Sequence, residues 1–141
     1  MRLSVHTDYA LRTLMFLAAN DGIHSIAAIS ARYGISKNHM MKIAQRLVAE
    51  GLVKSVRGRS GGLTLSQPAD EINVGHVVRS LENMGGFVGC FGAGGDGCIV
   101  SPVCGLRHVF VDAIESFLQH LDGYTIAEVI GDKDRFKSVW P

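Results

Sequence analysis

The chain has 141 residues, 47% of them hydrophobic, which fits one domain or a small domain with an extension and excludes a disordered chain. The formal charge of +1 hides an asymmetry: residues 1–75 carry nine Lys and Arg against five acids, and residues 76–141 carry five against eight. A basic half joined to an acidic half points to a polyanion partner for the first half alone.

The first predicted element is a helix over residues 8–20, with Leu11, Leu14, Met15, Leu17 and Ala18 in helical repeat and Thr7 or Asp8 as its cap. Asp8 and Arg12 interrupt the apolar stretch, which argues against a signal peptide, and no apolar run reaches the ~18 residues of a membrane span. A cytoplasmic protein is therefore expected. Ser25 should cap a short helix over 26–33 with Ile26, Ala27 and Ile29 inward, and Gly34 should end it. Ser36 should cap a third helix over 37–50 that buries Met40, Met41, Ile43, Ala44, Leu47 and Val48, with Gly51 just past its end. A short helix, a glycine-containing turn and a longer helix make a helix-turn-helix pattern.

Two strand-like runs follow, 52–56 and 63–66, around the tip R-G-R-S-G-G of residues 57–62. A basic hairpin directly after a helix-turn-helix describes a winged helix, a mainly α fold with a small β-wing. Asn73 should cap a helix over 74–83. Ser101 and Pro102 look like the start of a long helix ending at Asp122-Gly123. Thr125 and Glu128 form a capping-box pattern for a last short helix. The expected organisation is a winged helix-turn-helix over 1–83, a cysteine- and glycine-rich loop over 84–104, and a dimerisation helix with a tail over 105–141.

Three features carry chemistry. The recognition helix opens with Ser36, Lys37, Asn38, His39 and Lys42 on the turns that a helix-turn-helix offers to the major groove. Asparagine can pair with adenine, lysine can donate to guanine or phosphate, and the helix N-terminus favours phosphate oxygens. The wing carries Arg57, Arg59 and Ser60 among glycines, a slim cationic loop suited to a narrow minor groove. Taken singly, each of these residues has a bland reading as a solvated surface or a hairpin turn. Their combination with the basic half predicts DNA binding. The long helix, through Val109, Phe110, Ile114, Phe117 and Leu121, has an apolar stripe too broad for an edge helix of so small a domain. Pairing two copies would set the recognition helices about one DNA turn apart, ~34 Å, over a palindrome. The alternative is an internal core helix.

The third feature is the cysteine loop. Cys90, Cys98 and Cys104 are all the cysteines of the chain, and eight of its 17 glycines fall within residues 85–105. So many glycines are entropically expensive to order without help. A zinc knuckle normally has a close C-x2–4-C pair and four ligands. A disulfide leaves one thiol over and suits a reducing compartment poorly. An iron–sulfur cluster accepts looser spacing and a non-cysteine ligand. Candidates for that ligand are His108, Asp96, Asp112, or a carboxylate from a second subunit. A thiol enzyme would need a positioned base, and no spacing supplies one.

Several segments occur here in a fixed order: H-T-D-Y-A-L-R, S-K-N-H-M-M-K-I, V-R-G-R-S-G-G, G-H-V-V-R-S-L-E, the three-cysteine loop and F-L-Q-H-L-D-G-Y-T-I-A-E-V-I. Together they resemble the iron–sulfur winged-helix regulators, over nearly the whole chain except its last ten residues. In IscR-like members a histidine three residues after the last cysteine is a ligand; here that position is Arg107, and His108 is one residue off. This departure favours the nitric-oxide-sensing repressors of the NsrR group. The resemblance implies a homodimeric repressor, not an enzyme. It would hold a cluster, 4Fe–4S foremost, on Cys90, Cys98 and Cys104 with Asp8 of the partner subunit. Nitrosylation would then release palindromic DNA. A redox or iron-status sensor with a 2Fe–2S cluster is the alternative within the regulators. A zinc-stapled DNA binder or an electron-transfer protein is the alternative outside them. Asp8 also has a plain role open to it, as a helix cap or as an i,i+4 partner of Arg12.

Overall fold

A computed structural model describes residues 3–86 and 98–139. Seven α-helices and one two-stranded sheet appear among them: α1 (Val5–Ala19), α2 (Ile26–Tyr33), α3 (Lys37–Ala49), β1 (Val53–Val56), β2 (Gly62–Leu65), α4 (Val74–Leu81), α5 (Leu106–Asp122), α6 (Ile126–Ile130) and α7 (Lys133–Ser138). Helix α1 starts three residues earlier than its apolar repeat predicts. Ser4, not Thr7 or Asp8, is the cap, its hydroxyl accepting the Thr7 N–H at 3.2 Å. Asp8 lies within the first turn, where its charge suits the positive end of the helix.

The helix-turn-helix forms for local reasons. Ser25 and Ser36 each accept a backbone N–H three residues on, from Ala28 and His39. Between the two helices Gly34 takes φ 64°, a left-handed turn that glycine adopts without steric penalty. The hairpin pairs β1 with β2 antiparallel, from Val53 opposite Leu65 to Val56 opposite Gly62. His24 adds an isolated bridge to Leu63, exchanging backbone bonds of 3.0 and 2.8 Å, which ties the wing to the start of α2. Gly62 permits this approach, since a Cβ there would collide with the backbone of His24 and Ser25.

Among the described residues, one core gathers side chains from α1, α2, α3, β1, β2, α4 and α6. Ala10, Leu14, Leu17, Ile29, Met40, Ile43, Leu47, Leu63, Val77, Ile126 and Ile130 belong to a single cluster. Helices α6 and α7 both pack on α1, so the segment after α5 shares the core of the N-terminal unit. The capping box of α6 is present as expected: Thr125 and Glu128 exchange side-chain and backbone bonds. Accepting the Thr125 N–H holds the Glu128 carboxyl below its ordinary value.

Three expectations are corrected. Met41 and Val48 of α3, read as buried, are 47% and 40% exposed, and Ala27 of α2 is exposed too. Their helices project from the core on that side, so the apolar pattern outruns the available cover. The long helix does not begin at Ser101-Pro102. Residues Ser101–Val103 form only a 3₁₀ turn, Cys104 turns extended (φ −83°, ψ 108°), and α5 starts at Leu106 without a side-chain cap. Proline and serine favour a helical turn there, but the extended Cys104 breaks its continuation.

Helix α5 is held on α4. Arg79 donates to Asp122 and, at 3.2 Å, to Glu115, while Asn73 donates to the Asp122 carbonyl at 2.6 Å. Gly75 is buried beneath Asp122, and a Cβ at that position would lie 2.8 Å from the Asp122 backbone N. Gly75→Ala is therefore predicted to push α5 off α4 and destabilise the protein by ~1–3 kcal/mol. Urea unfolding of the two proteins checks this, an unchanged midpoint being the contrary result.

Candidate nucleic-acid interface and metal site

On the recognition helix, Ser36, Lys37, Asn38 and Lys42 are exposed. The Ser36 hydroxyl is already used as the cap of α3. His39 is half-buried: its ring meets Tyr9 edge-on at 5.5 Å and lies 6.0 Å from the ring of His6, both on α1. Arg57, Arg59 and Ser60 are exposed on the wing tip, where Gly58 adopts φ 120°. Lys54 of β1 is exposed as well, on the same hairpin. The described surface thus carries two cationic groups, one on the first turns of α3 and one on the hairpin. No acid lies between Lys37 and Arg46 or between Val53 and Pro68 to neutralise either.

Asp8 and Arg12 stand one turn apart on the outer face of α1. Arg12 Nε donates to Asp8 Oδ1 at 3.0 Å, with the two side chains 48% and 44% exposed. An exposed i,i+4 pair of this kind contributes only ~0.5 kcal/mol, so Asp8 is not spoken for structurally. The Arg12 backbone carbonyl accepts from the Tyr33 hydroxyl at 2.8 Å, which fastens the end of α2 to α1. Burial pushes the Tyr33 hydroxyl up to about 12, with Arg12 pulling slightly the other way. This tether left no trace in sequence spacing, because its partners are 21 residues apart and one of them is a carbonyl.

Of the cysteines, Cys98 is exposed, Cys104 is half-buried, and both are free thiols. Cys90 and Asp96 lie outside the described residues. The Cys98 carbonyl accepts from Ser101 N–H at 3.0 Å, and Cys104 closes the short turn that follows. The two thiols thus bracket one compact turn. Beside it lies an open concavity of ≈ 490 Å³ lined by Ser101, Pro102, Val103, Cys104, Arg107 and His108. No group of three or more His, Cys, Asp and Glu gathers among the described residues of this single chain. His108 and Asp112 are both exposed on α5. Two free thiols, of which Cys104 lines an open recess, suit an iron–sulfur group, provided that further ligands come from elsewhere.

Apolar surface surrounds this turn. Ile99 and Val103 are 94% and 86% exposed, Leu106, Val109 and Val111 of α5 are also exposed, and only Leu118 of that helix is fully buried. No helix among the described residues is long and apolar enough to cross a membrane.

Comparison with known proteins finds relatives over nearly the whole chain. Residues 3–132 match the Rrf2 family, described as an iron-dependent transcriptional regulator. The chain is 43% identical over 136 residues to the HTH-type transcriptional regulator NsrR of Bacillus subtilis, covering 95% of this chain and 93% of that one. It is 40% identical over 141 residues to the NsrR of Geobacillus kaustophilus, covering 99% and 96%. Among solved structures, the oxidised form of CymR from Staphylococcus aureus superposes with a TM-score of 0.73 at 25% identity, covering 94% of this chain and 98% of that one. IscR of T. potens superposes at 0.72 and 26% identity, covering 92% and 86%.

The raised Tyr33 value fixes a pH effect. Its contribution to stability is present in full below the ordinary tyrosine value of 10.0 and is lost as pH climbs towards 12, because the unfolded chain gives up that proton first. Allowing for partial exposure, the loss is ~1 kcal/mol. Tyr33→Phe is predicted to cost ~1 kcal/mol at pH 7 and to lose less stability than the parent between pH 10 and 12. Urea unfolding across that range checks it; parallel curves would contradict it.

Proposed function

The chain belongs to the Rrf2 family of transcriptional regulators, and on that premise we propose a dimeric DNA-binding repressor that senses nitric oxide through an iron–sulfur cluster. Lys37, Asn38 and Lys42 would enter the major groove, and Arg57, Arg59 and Ser60 would reach the adjacent backbone or minor groove. Ser36 holds the first turn of α3 in shape and leaves its N-terminal dipole facing phosphate. The exposed stripe of α5, with Ile99 and Val103, would be covered by a second copy of the chain, which explains why so much apolar surface is bare in one chain.

Cys90, Cys98 and Cys104 would hold the cluster, 4Fe–4S foremost, with Asp8 of the partner subunit as the remaining ligand. When bound, the cluster supplies iron open to nitric oxide at the corner held by carboxylate, a harder and weaker partner than thiolate. The chain's own part is mechanical. Asp8 lies on the outer face of α1, and the opposite face of α1 packs on α3. The observation that carries this reading is that Asp8 is neither core nor cap, yet sits on the helix that seats the recognition helix. Holding or freeing its carboxylate biases one element between two arrangements, as a switch requires.

An anaerobic mobility-shift titration of the operator with nitric oxide tests this. Affinity should fall as nitric oxide is added, and unchanged affinity after complete reaction would remove the sensor reading. Absorption and iron-to-sulfide analysis of the same preparation separate 4Fe–4S from 2Fe–2S and from zinc. Cys98→Ser and Cys104→Ser should each lose iron and sulfide. Asp8→Ala should keep its fold and its iron, bind the operator more weakly than the unaltered cluster-loaded protein, and react with nitric oxide at a different rate; unchanged affinity together with identical kinetics would rule out ligation.

A further inference from the structure

We propose that His39 is a positioning residue, the contact through which the first turns of α1 set the attitude of the recognition helix. This rests on the reading of Asp8 given above and deepens it. His39 is the third residue of α3, preceded by the exposed Lys37 and Asn38 and followed by the buried Met40. Its own ring is half-buried and turned to α1: it stands on Tyr9 at 5.5 Å with an interplanar angle of 81°, and beside His6 at 6.0 Å and 64°. Edge-to-face contacts of this kind are directional, because the positive rim of one ring seeks the negative face of the other. Directly below, the Thr13 hydroxyl donates to the Tyr9 carbonyl at 2.7 Å and reaches the Met40 sulfur at 3.4 Å. Met40 is fully buried.

His6, Tyr9 and Thr13 are spaced three and four apart, so they line one face of α1. Asp8 and Arg12 line another, the exposed one. His6 and Tyr9 therefore stand on either side of Asp8 in sequence while facing the recognition helix. A displacement of the Asp8 carboxylate would move the backbone that carries both rings. The other end of α3 is held differently: Arg46 donates to the Ser80 carbonyl of α4 at 2.8 Å, and Ile43 and Leu47 are in the core. The ring contact thus lies at the DNA-facing end, and the bond to α4 lies at the far end. The start of α1 has a second anchor, since Ser4 N–H donates to Glu82 Oε1 at 2.6 Å. Glu82 immediately follows α4 and leads towards the cysteine segment. The Glu82 bond and the rings facing His39 therefore meet at the first turns of α1.

The test uses the full-length dimer, prepared without oxygen in cluster-loaded and cluster-free forms, and the dissociation constant of each for one operator duplex. In the unaltered protein the ratio of the two constants should be on the order of tenfold or more. His39→Ala should bring that ratio to about twofold or less, and His39→Phe, which keeps a ring, should restore it. If His39 merely touched DNA, both constants would rise by the same factor and the ratio would stand, which overturns the proposal. A ratio of one in the unaltered protein sinks the sensor reading and this proposal together; a preserved ratio in His39→Ala sinks this proposal alone. Hydrogen exchange of the unaltered protein gives a second readout. The amides of residues 39–42 should change protection on cluster loading, and no change there would also overturn it.

Discussion

Helix α1 is walled in by its neighbours, and that constraint organises everything else. Ala10, Leu14, Phe16, Leu17, Ala18 and Ala19 are all buried, and α3, α4, β2, α6 and α7 pack around them. A helix that is apolar on most of its circumference must be buried to be stable, and its alanines allow close approach by neighbours. What remains exposed is narrow, and Val5, Asp8 and Arg12 occupy it. Because the interior is close-packed, α1 moves as a unit with the elements on it. On the reading proposed above, a shift imposed at that free face would reach the DNA-reading helix through this packing.

The second structural link joins α5 to the same unit. Arg79 is shared by Glu115 and Asp122, Asn73 ties down the end of α5, and Gly75 lets the two helices approach. If α5 pairs with its copy, this clamp carries the geometry of the dimer into each winged helix. Two connections then reach α3, the packing of α1 and the Arg46 bond to the Ser80 carbonyl of α4. The spacing of two recognition helices on a palindrome depends on both.

Much of this was legible in sequence because its causes are local. Ser25, Ser36, Asn73 and Thr125 cap helices where they were expected to, since each bond spans three residues. The basic hairpin after the helix-turn-helix was read for the same reason. The errors came where local signals compete. Ser4, Thr7 and Asp8 are all competent caps, and packing over the first turn decided for Ser4. Ser101-Pro102 has the chemistry of a helix start but produces one turn only. Met41 and Val48 continue an apolar pattern past the edge of the core. The ring contact of His39 with Tyr9 and the Tyr33 tether join residues 30 and 21 apart, so no periodicity could report them. The candidate metal ligands could be proposed from sequence but not placed, because on this account they sit on separate segments and on two chains.

The central claim is that Asp8 of one subunit serves the thiolates of the other. The most direct measurement is complementation in mixed dimers of Asp8→Ala and Cys98→Ser, co-expressed with different affinity tags and purified for both. Such a dimer has one site whose thiolates and facing Asp8 are both intact. The account predicts about half the iron of the unaltered protein, reacting with nitric oxide at the unaltered rate. If the iron present reacts instead as it does in the pure Asp8→Ala dimer, the carboxylate does not act across the interface and the account is contradicted.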